Sequence, residues 1–358
     1  MTSSLQNWNI SVFFGADRTV FGSTFMDRVF EAAIFVFKTV VRCLFSLALL
    51  FALAAHAQPY PNKPLRLVIG FPPGAFTDVM ARMLADHLGN LYGQQVVVDN
   101  KPGAASTIAA DIVSKSRADG YTLLFGHMNS NAVAPALFPK LGYDPAKDFI
   151  AVTNVAFVSL MLVVNPALPA NDVKSFIALA KSRAEPLRFA SSGNGSSQHL
   201  AAELFMQMTG TKMIHIPYKG SMQAAVDLIS GQVDLNFDGV GSSLQFVRNG
   251  KLKVLGVATA RRVALIPEVP TIIESGLPGF TAASWFGVFA PTGTPPEIVA
   301  KLSDDINGFL KSPEVQKKVA DIGGELAPPN TPAEYAKFVQ SETARWTRLI
   351  RESNIKAE

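Results

Sequence analysis

Leu65-Arg66-Leu67-Val68-Ile69-Gly70-Phe71-Pro72-Pro73-Gly74-Ala75-Phe76-Thr77-Asp78 opens the stretch that decides the fold. Leu65 to Gly70 reads as a short buried strand, an apolar run bounded by turn residues. Glycine and proline then break the pattern, and from Thr77 to Tyr92 Val79, Met80, Met83, Leu84, Leu88 and Leu91 recur at the spacing of one helix face. Gln95–Val98 reads as a second strand, Thr107–Ser116 as a helix and Tyr121–Phe125 as a third strand. A β-α-β-α-β order predicts a parallel sheet with helices packed on it.

Downstream the plan repeats. Strands are expected at Leu160–Val164, Leu187–Ala190, Ile214–Pro217, Leu235–Asp238 and Val254–Ala258. Helices are expected at Val173–Ser182, Gln198–Met208 (stopping at Gly210) and Met222–Ser230. After Pro270 the texture turns to loops, followed by helices near Glu297–Lys311 and Pro332–Glu352. The expected fold class is α/β, a two-lobed periplasmic-binding-protein architecture with a ligand cleft between the lobes. One lobe would hold residues 58–158 plus 281–358, and the other residues 159–280.

The chain has 358 residues, 48% hydrophobic and 17% charged, enough to bury a large core. Its formal charge of +4 is spread without any run of five like charges, and no basic stretch interleaved with aromatics points to nucleic acid. Near the N-terminus, Lys38 and Arg42 flank an apolar core that ends in Ala55-His56-Ala57. This is the layout of a secretory signal peptide, cut after Ala57, and Met26 is a plausible true start. The uncharged run Cys43–Ala55 falls short of the roughly 20 residues that span a bilayer. Cys43 is the only cysteine, so a mature periplasmic chain would lack disulfides, thiol catalysis and cysteine–metal sites.

Three loops follow expected strands and open expected helices: Gly70–Asp78, Ala190–His199 and Tyr218–Ser221. Glycines allow close backbone approach, and the free N–H groups of a helix start favour an anion at about 0.3–1 kcal/mol each. Simpler roles compete at each position. Asp78 also suits the first turn of a helix, Ser196 or Ser197 an N-cap, His199 a packing or hydrogen-bonding role, Lys219 solvent, and Trp285 and Phe286 the core. Enzyme signatures are missing from the sequence. Gln198 stands where a dinucleotide fingerprint needs glycine, and there is no Walker lysine, G-x-S-x-G elbow or H-E-x-x-H. No catalytic residue, cofactor or metal is therefore expected.

Many segments in order carry a family resemblance from about Tyr60 to the C-terminus. They include Gly70-Phe71-Pro72-Pro73-Gly74, Asn100-Lys101-Pro102-Gly103-Ala104, Asp119-Gly120-Tyr121, His199-Leu200-Ala201-Ala202-Glu203, Pro217-Tyr218-Lys219-Gly220 and Pro291-Thr292-Gly293-Thr294-Pro295. The chain resembles the Bug-type periplasmic solute receptors of the tripartite tricarboxylate transporter family. The resemblance implies a receptor closing on a small carboxylate and handing it to membrane permease subunits, with no nucleic-acid partner; a monomer is expected. It implies ligand contacts from Phe76, Thr77, Asp78, Asn129 and Ser130 in one lobe. In the other it implies Ser192, Asn194, Ser196, His199, Tyr218 and Asp238. Ala75, Phe76 and Gln223 depart from the family pattern, and the Phe76 ring either narrows the pocket, stacks on an aromatic acid or packs back into the lobe. A receptor docking on a sensor kinase ectodomain and a secreted hydrolase are the alternative readings.

Overall fold

The computed structural model describes residues 32–40, 42 and 60–356. Residues 1–59 and 60–358 are separate units. In the first, residues 32–40 are helical and exposed; the expected signal core, Cys43 and the cleavage point lie outside the described residues. No described helix is long and apolar enough to cross a membrane.

The second unit begins with β1 (Leu65–Ile69), α1 (Phe76–Tyr92), β2 (Val96–Asn100), α2 (Thr107–Ser114) and β3 (Thr122–His127), in the expected order. A π-helical turn (Asn129–Val133) and the short α3 (Ala134–Leu137) follow. Next come β4 (Phe149–Val164), α4 (Val173–Ser182), β5 (Leu187–Ser191), α5 (Ser197–Thr209), β6 (Met213–Pro217), α6 (Ser221–Ser230), β7 (Leu235–Gly239), α7 (Val240–Arg248) and β8 (Lys253–Val257). The chain closes with β9 (Ala283–Pro291), α8 (Pro296–Leu310), α9 (Pro313–Asp321), β10 (Gly324–Leu326) and α10 (Pro332–Glu352).

The strands form one curled sheet in the order β2-β1-β3-β9-β4-β7-β5-β6, with β8 and β10 also paired to β4. Its two outer thirds are the same unit built twice. Strands β2-β1-β3 and β6-β5-β7 are parallel, and their registers correspond: Leu65 faces Val96 as Leu187 faces Met213, and Leu67 faces Leu123 as Phe189 faces Leu235. Parallel strands need helical crossovers, which here place loops of both units at their strands' carboxyl ends.

Two strands correct the sequence reading. Only Leu160–Val164 was expected of β4, yet it runs 16 residues. Its first part pairs antiparallel with β9 and its last part with β7 and β8, so one strand threads both halves of the sheet. The region after Pro270, expected as loops, contains β9, buried almost throughout. Neither strand alternates apolar with polar residues because both of their faces are covered, so the period-2 signal is lost.

Helix α10 seats against β4, the turn at 129–133, α3 and α5. A capping box at Thr331 and Glu334 starts it. From it, buried Glu342 accepts the indole N–H groups of Trp285 at 3.1 Å and Trp346 at 2.8 Å, fixing the largest side chains of the core.

Candidate ligand-binding site

The corner between β1 and α1 is held by Asp78. Its side chain is 5% exposed. One carboxylate oxygen accepts from Arg82 Nη2 and Asn100 Nδ2, both at 2.9 Å, and the other accepts the Gly74 N–H at 2.9 Å and Arg82 Nε at 3.0 Å. The Arg82 hydrogen bonds outweigh burial and hold this carboxyl at about 2. Asn100 also donates to the Phe71 carbonyl at 3.0 Å, so the whole loop is tied to the end of β2. Asp78 thus shapes the loop, with all four of its acceptor positions engaged inside the protein. Phe76 is half-buried and leans on Phe286, ring centroids 5.4 Å apart. Thr77 is buried.

The corner between β5 and α5 repeats this geometry with an imidazole in place of the carboxylate. Gly195 donates to His199 Nδ1 at 3.1 Å, as Gly74 does to Asp78. Four residues along the helix, Glu203 stands 3.5 Å from His199 where Arg82 pairs with Asp78. Ser196 is the N-cap, its hydroxyl accepting the His199 N–H. Tyr218 donates its hydroxyl to Asp227 at 2.7 Å. Ser192 and Asn194 are half-buried on the loop.

Gln198 ties this side of the site together, a residue the sequence marks only as a departure from a dinucleotide fingerprint. Its carbonyl accepts the Ser192 N–H, while its amide donates to Ser221 at 3.1 Å and to Asp238 at 2.5 Å. The loop after β5, the start of α6 and the end of β7 are thereby joined by one side chain. Asp238 is 2% exposed and also accepts from Ser243. Burial raises its carboxyl above the usual range although these donors oppose the shift. No motif marks a glutamine for such a role, since its partners lie up to 40 residues away.

At the end of β3, His127 is buried and accepts the Asn129 N–H at Nδ1, 3.2 Å away, so its proton sits on Nε2, 2.9 Å from Ser284 Oγ. Burial lowers this imidazole to about 3. Ser130 is fully buried and its hydroxyl bonds within the turn to the His127 carbonyl and Asn131. The turn at 104–106 touches the one at 129–133, and both carry buried polar atoms without a hydrogen-bond partner among the described residues: Ser106 Oγ, Asn129 Oδ1 and Asn131 Nδ2. Ala104, Ala105 and Ser106 all have positive φ (45, 53 and 72°), a costly run for residues with a Cβ. Ser106 leaves no space at Gly70, where a Cβ would lie 1.8 Å from the serine oxygen.

Of the helices after these loops, α5 begins with a side-chain cap and α1 and α6 begin without one. Helices α1, α2, α3, α6, α7 and α8 have no side-chain cap, whereas α4, α5, α9 and α10 are capped by Asp172, Ser196, Ser312 and Thr331. An uncapped start leaves N–H donors free to bond something else.

The turn before β10 closes against this region. A Cβ on Gly324 would lie 2.5 Å from the Phe76 ring, and one on Gly323 would lie 2.4 Å from the Gly241 backbone. Gly323 has φ +82°, so Gly323→Ala adds left-handed strain to that clash. Thermal unfolding should show a loss of about 2 kcal/mol; an unchanged melting temperature would mean the two turns are not packed together. Beside this turn a cavity of about 550 Å³, lined by residues including Arg261, Arg262, Leu265, Gln316 and Glu325, touches none of the sequence-expected contacts.

Paired β–α corners on a curled sheet threaded by β4 define a two-lobed solute-binding protein. The profile of the tripartite tricarboxylate transporter family receptor matches residues 80–355. Protein BugT of Bordetella pertussis is 39% identical over 85% of this chain and 94% of its own length. Among solved structures, Rpa4515 of R. palustris with adipate is 38% identical with a TM-score of 0.74, covering 84% of this chain and 100% of that one. MatC of Rhodopseudomonas palustris with bound malate is 33% identical with a TM-score of 0.70, covering 81% and 100%. The chain belongs to the tripartite tricarboxylate transporter receptor family.

Proposed function

We propose that this chain is a periplasmic receptor that binds a small organic carboxylate between lobes 58–158 plus 281–358 and 159–280. It would act as a monomer, released after Ala57, and pass its ligand unaltered to membrane permease subunits. The observation that carries this reading is the uncapped starts of α1, α2, α6 and α7, taken together with three buried atoms without a hydrogen-bond partner among the described residues, Ser106 Oγ, Asn129 Oδ1 and Asn131 Nδ2. Backbone N–H groups and neutral side chains suit an anion, and Arg82 at the first corner is already paired with Asp78. The adipate and malate bound to the two relatives support the ligand class. Thr77, Asn129, Ser192 and Asn194 are the contacts we favour among the expected ones. Those of Phe76, Asp78, Ser130, Ser196, His199, Tyr218 and Asp238 would be indirect, through the loop shapes they hold.

A thermal-shift screen against adipate, malate, citrate and benzoate tests this. A true ligand at 100 times its Kd should stabilise the protein by about 2.7 kcal/mol. No stabilisation by any carboxylate at millimolar concentration would defeat the reading.

A further inference from the structure

Two imidazoles stand behind the glycine loop of residues 191–195, and the receptor reading gives His215 no task and His199 only a part in the loop's shape. His199 and His215 stack with centroids 3.7 Å apart and planes 22° from parallel, and His215 also stacks on Phe189 at 4.8 Å. Each ring holds one end of the loop. Gly195 donates its N–H to His199 Nδ1 at 3.1 Å. His215 Nε2 lies 2.6 Å from Ser191 Oγ, and that hydroxyl accepts the Gly193 N–H at 3.1 Å.

The hold on Gly195 requires a lone pair at His199 Nδ1. A proton there would set N–H against N–H and abolish the bond. Charge on one ring also opposes charge on the other, because like charges at this separation repel. Burial, and then the neighbouring His199, lower His215 to about 3. The surrounding elements offer little compensation. Helix α5 presents Glu203, 3.5 Å from His199 Nε2, and β5 presents Phe189 and Ser191, while the N-cap Ser196 accepts only the backbone N–H of His199. Glu203 could accept from a doubly protonated His199 but cannot restore the Gly195 bond. Movement of that glycine would be felt beyond the loop, since it packs on Leu137 so closely that a Cβ would lie 2.1 Å from the leucine Cδ1.

We propose that His199 and His215 are positioning residues forming a proton-sensitive clamp on the 191–195 loop, so that ligand affinity falls when the pair takes up a proton. This rests on the loop belonging to the ligand site, and the test separates the two claims. First, without ligand, the Gly193 and Gly195 amides and the imidazole nitrogens are followed by ¹⁵N NMR from pH 8 to 4, with circular dichroism confirming the fold at each point. The Gly195 amide should shift in one transition that coincides with protonation of His199 Nδ1. A Gly195 amide that stays put while the ring titrates, or no ring titration while the protein remains folded, overturns the clamp. Second, adipate and malate are titrated calorimetrically above and below that transition. Wild type should weaken about tenfold across it, the equivalent of one lost hydrogen bond. His199→Gln, whose amide can accept from Gly195 but takes no proton, should weaken less than threefold. Equal weakening in both proteins overturns the proposal. If neither acid binds at any pH, the ligand reading fails while the amide titration still decides the clamp.

Discussion

Acidification from pH 7 to pH 5 is expected to lower the unfolding free energy of the folded unit by about 3 kcal/mol. The cause is two imidazoles kept neutral. Burial lowers His127 to about 3, and burial aided by the adjacent His199 does the same to His215. In an unfolded chain both would titrate near 6.5. Between these values the unfolded state binds more protons, so the stability each group contributes is complete above about pH 6.5 and drains away as pH falls toward 3. At pH 5 a full shift of this kind costs about 2 kcal/mol. His127, 5% exposed, should show nearly all of it, and the less buried His215 somewhat less. Chemical denaturation at stepped pH reads the slope. His127→Gln, which keeps an acceptor for the Asn129 N–H, should remove more than half of the slope between pH 7 and 5. A slope untouched by that change would place the acid sensitivity elsewhere.

Replacing Asp78 by alanine is expected to cost about 2–3 kcal/mol of stability near neutral pH. The carboxyl lies at about 2 instead of 3.8, chiefly through its hydrogen bonds from Arg82, and at 1.36 kcal/mol per pH unit this is worth about 2.4 kcal/mol. The shift is downward, so this contribution is present above pH 3.8 and disappears as pH falls through 2, a window distinct from that of the histidines. Truncation also strands the Gly74 N–H and Asn100. Removing one partner of a buried ion pair can cost 3–5 kcal/mol, but the Arg82 side chain is 51% exposed and can rehydrate, which argues for the lower figure. Because Asp78 holds the loop and does not need to touch ligand, Asp78→Ala should weaken carboxylate binding about tenfold or more by freeing that loop. Urea unfolding and calorimetry on the same variant measure the two effects. A stability loss below about 0.5 kcal/mol would show that the four bonds to Asp78 do not hold the corner.

Local pattern determined much of this protein. Helical spacing in Val79–Leu91, the apolar runs at Leu65 and Leu187, and the glycine stop at Gly210 specify their elements from neighbours a few residues away. Those signals sufficed for an α/β fold, and the ordered motifs from Gly70 to Pro295 sufficed for the family. Only the tertiary structure decided how β4 and β9 thread the sheet, because strands buried on both faces lose their alternation. It alone decided the roles at the site as well. Asp78 and His199 are expected contacts in the sequence, and each proves to clamp a loop glycine four residues before it. Gln198, His127 and His215 carry no motif. Their functions come from partners as distant as Asp238, Ser284 and Ser191, and separations of 24 to 157 residues leave no trace in local sequence. Hydrogen bonding acts over about 3 Å of space whatever the chain distance, so the folded sheet, not the order of residues, selects which polar groups meet.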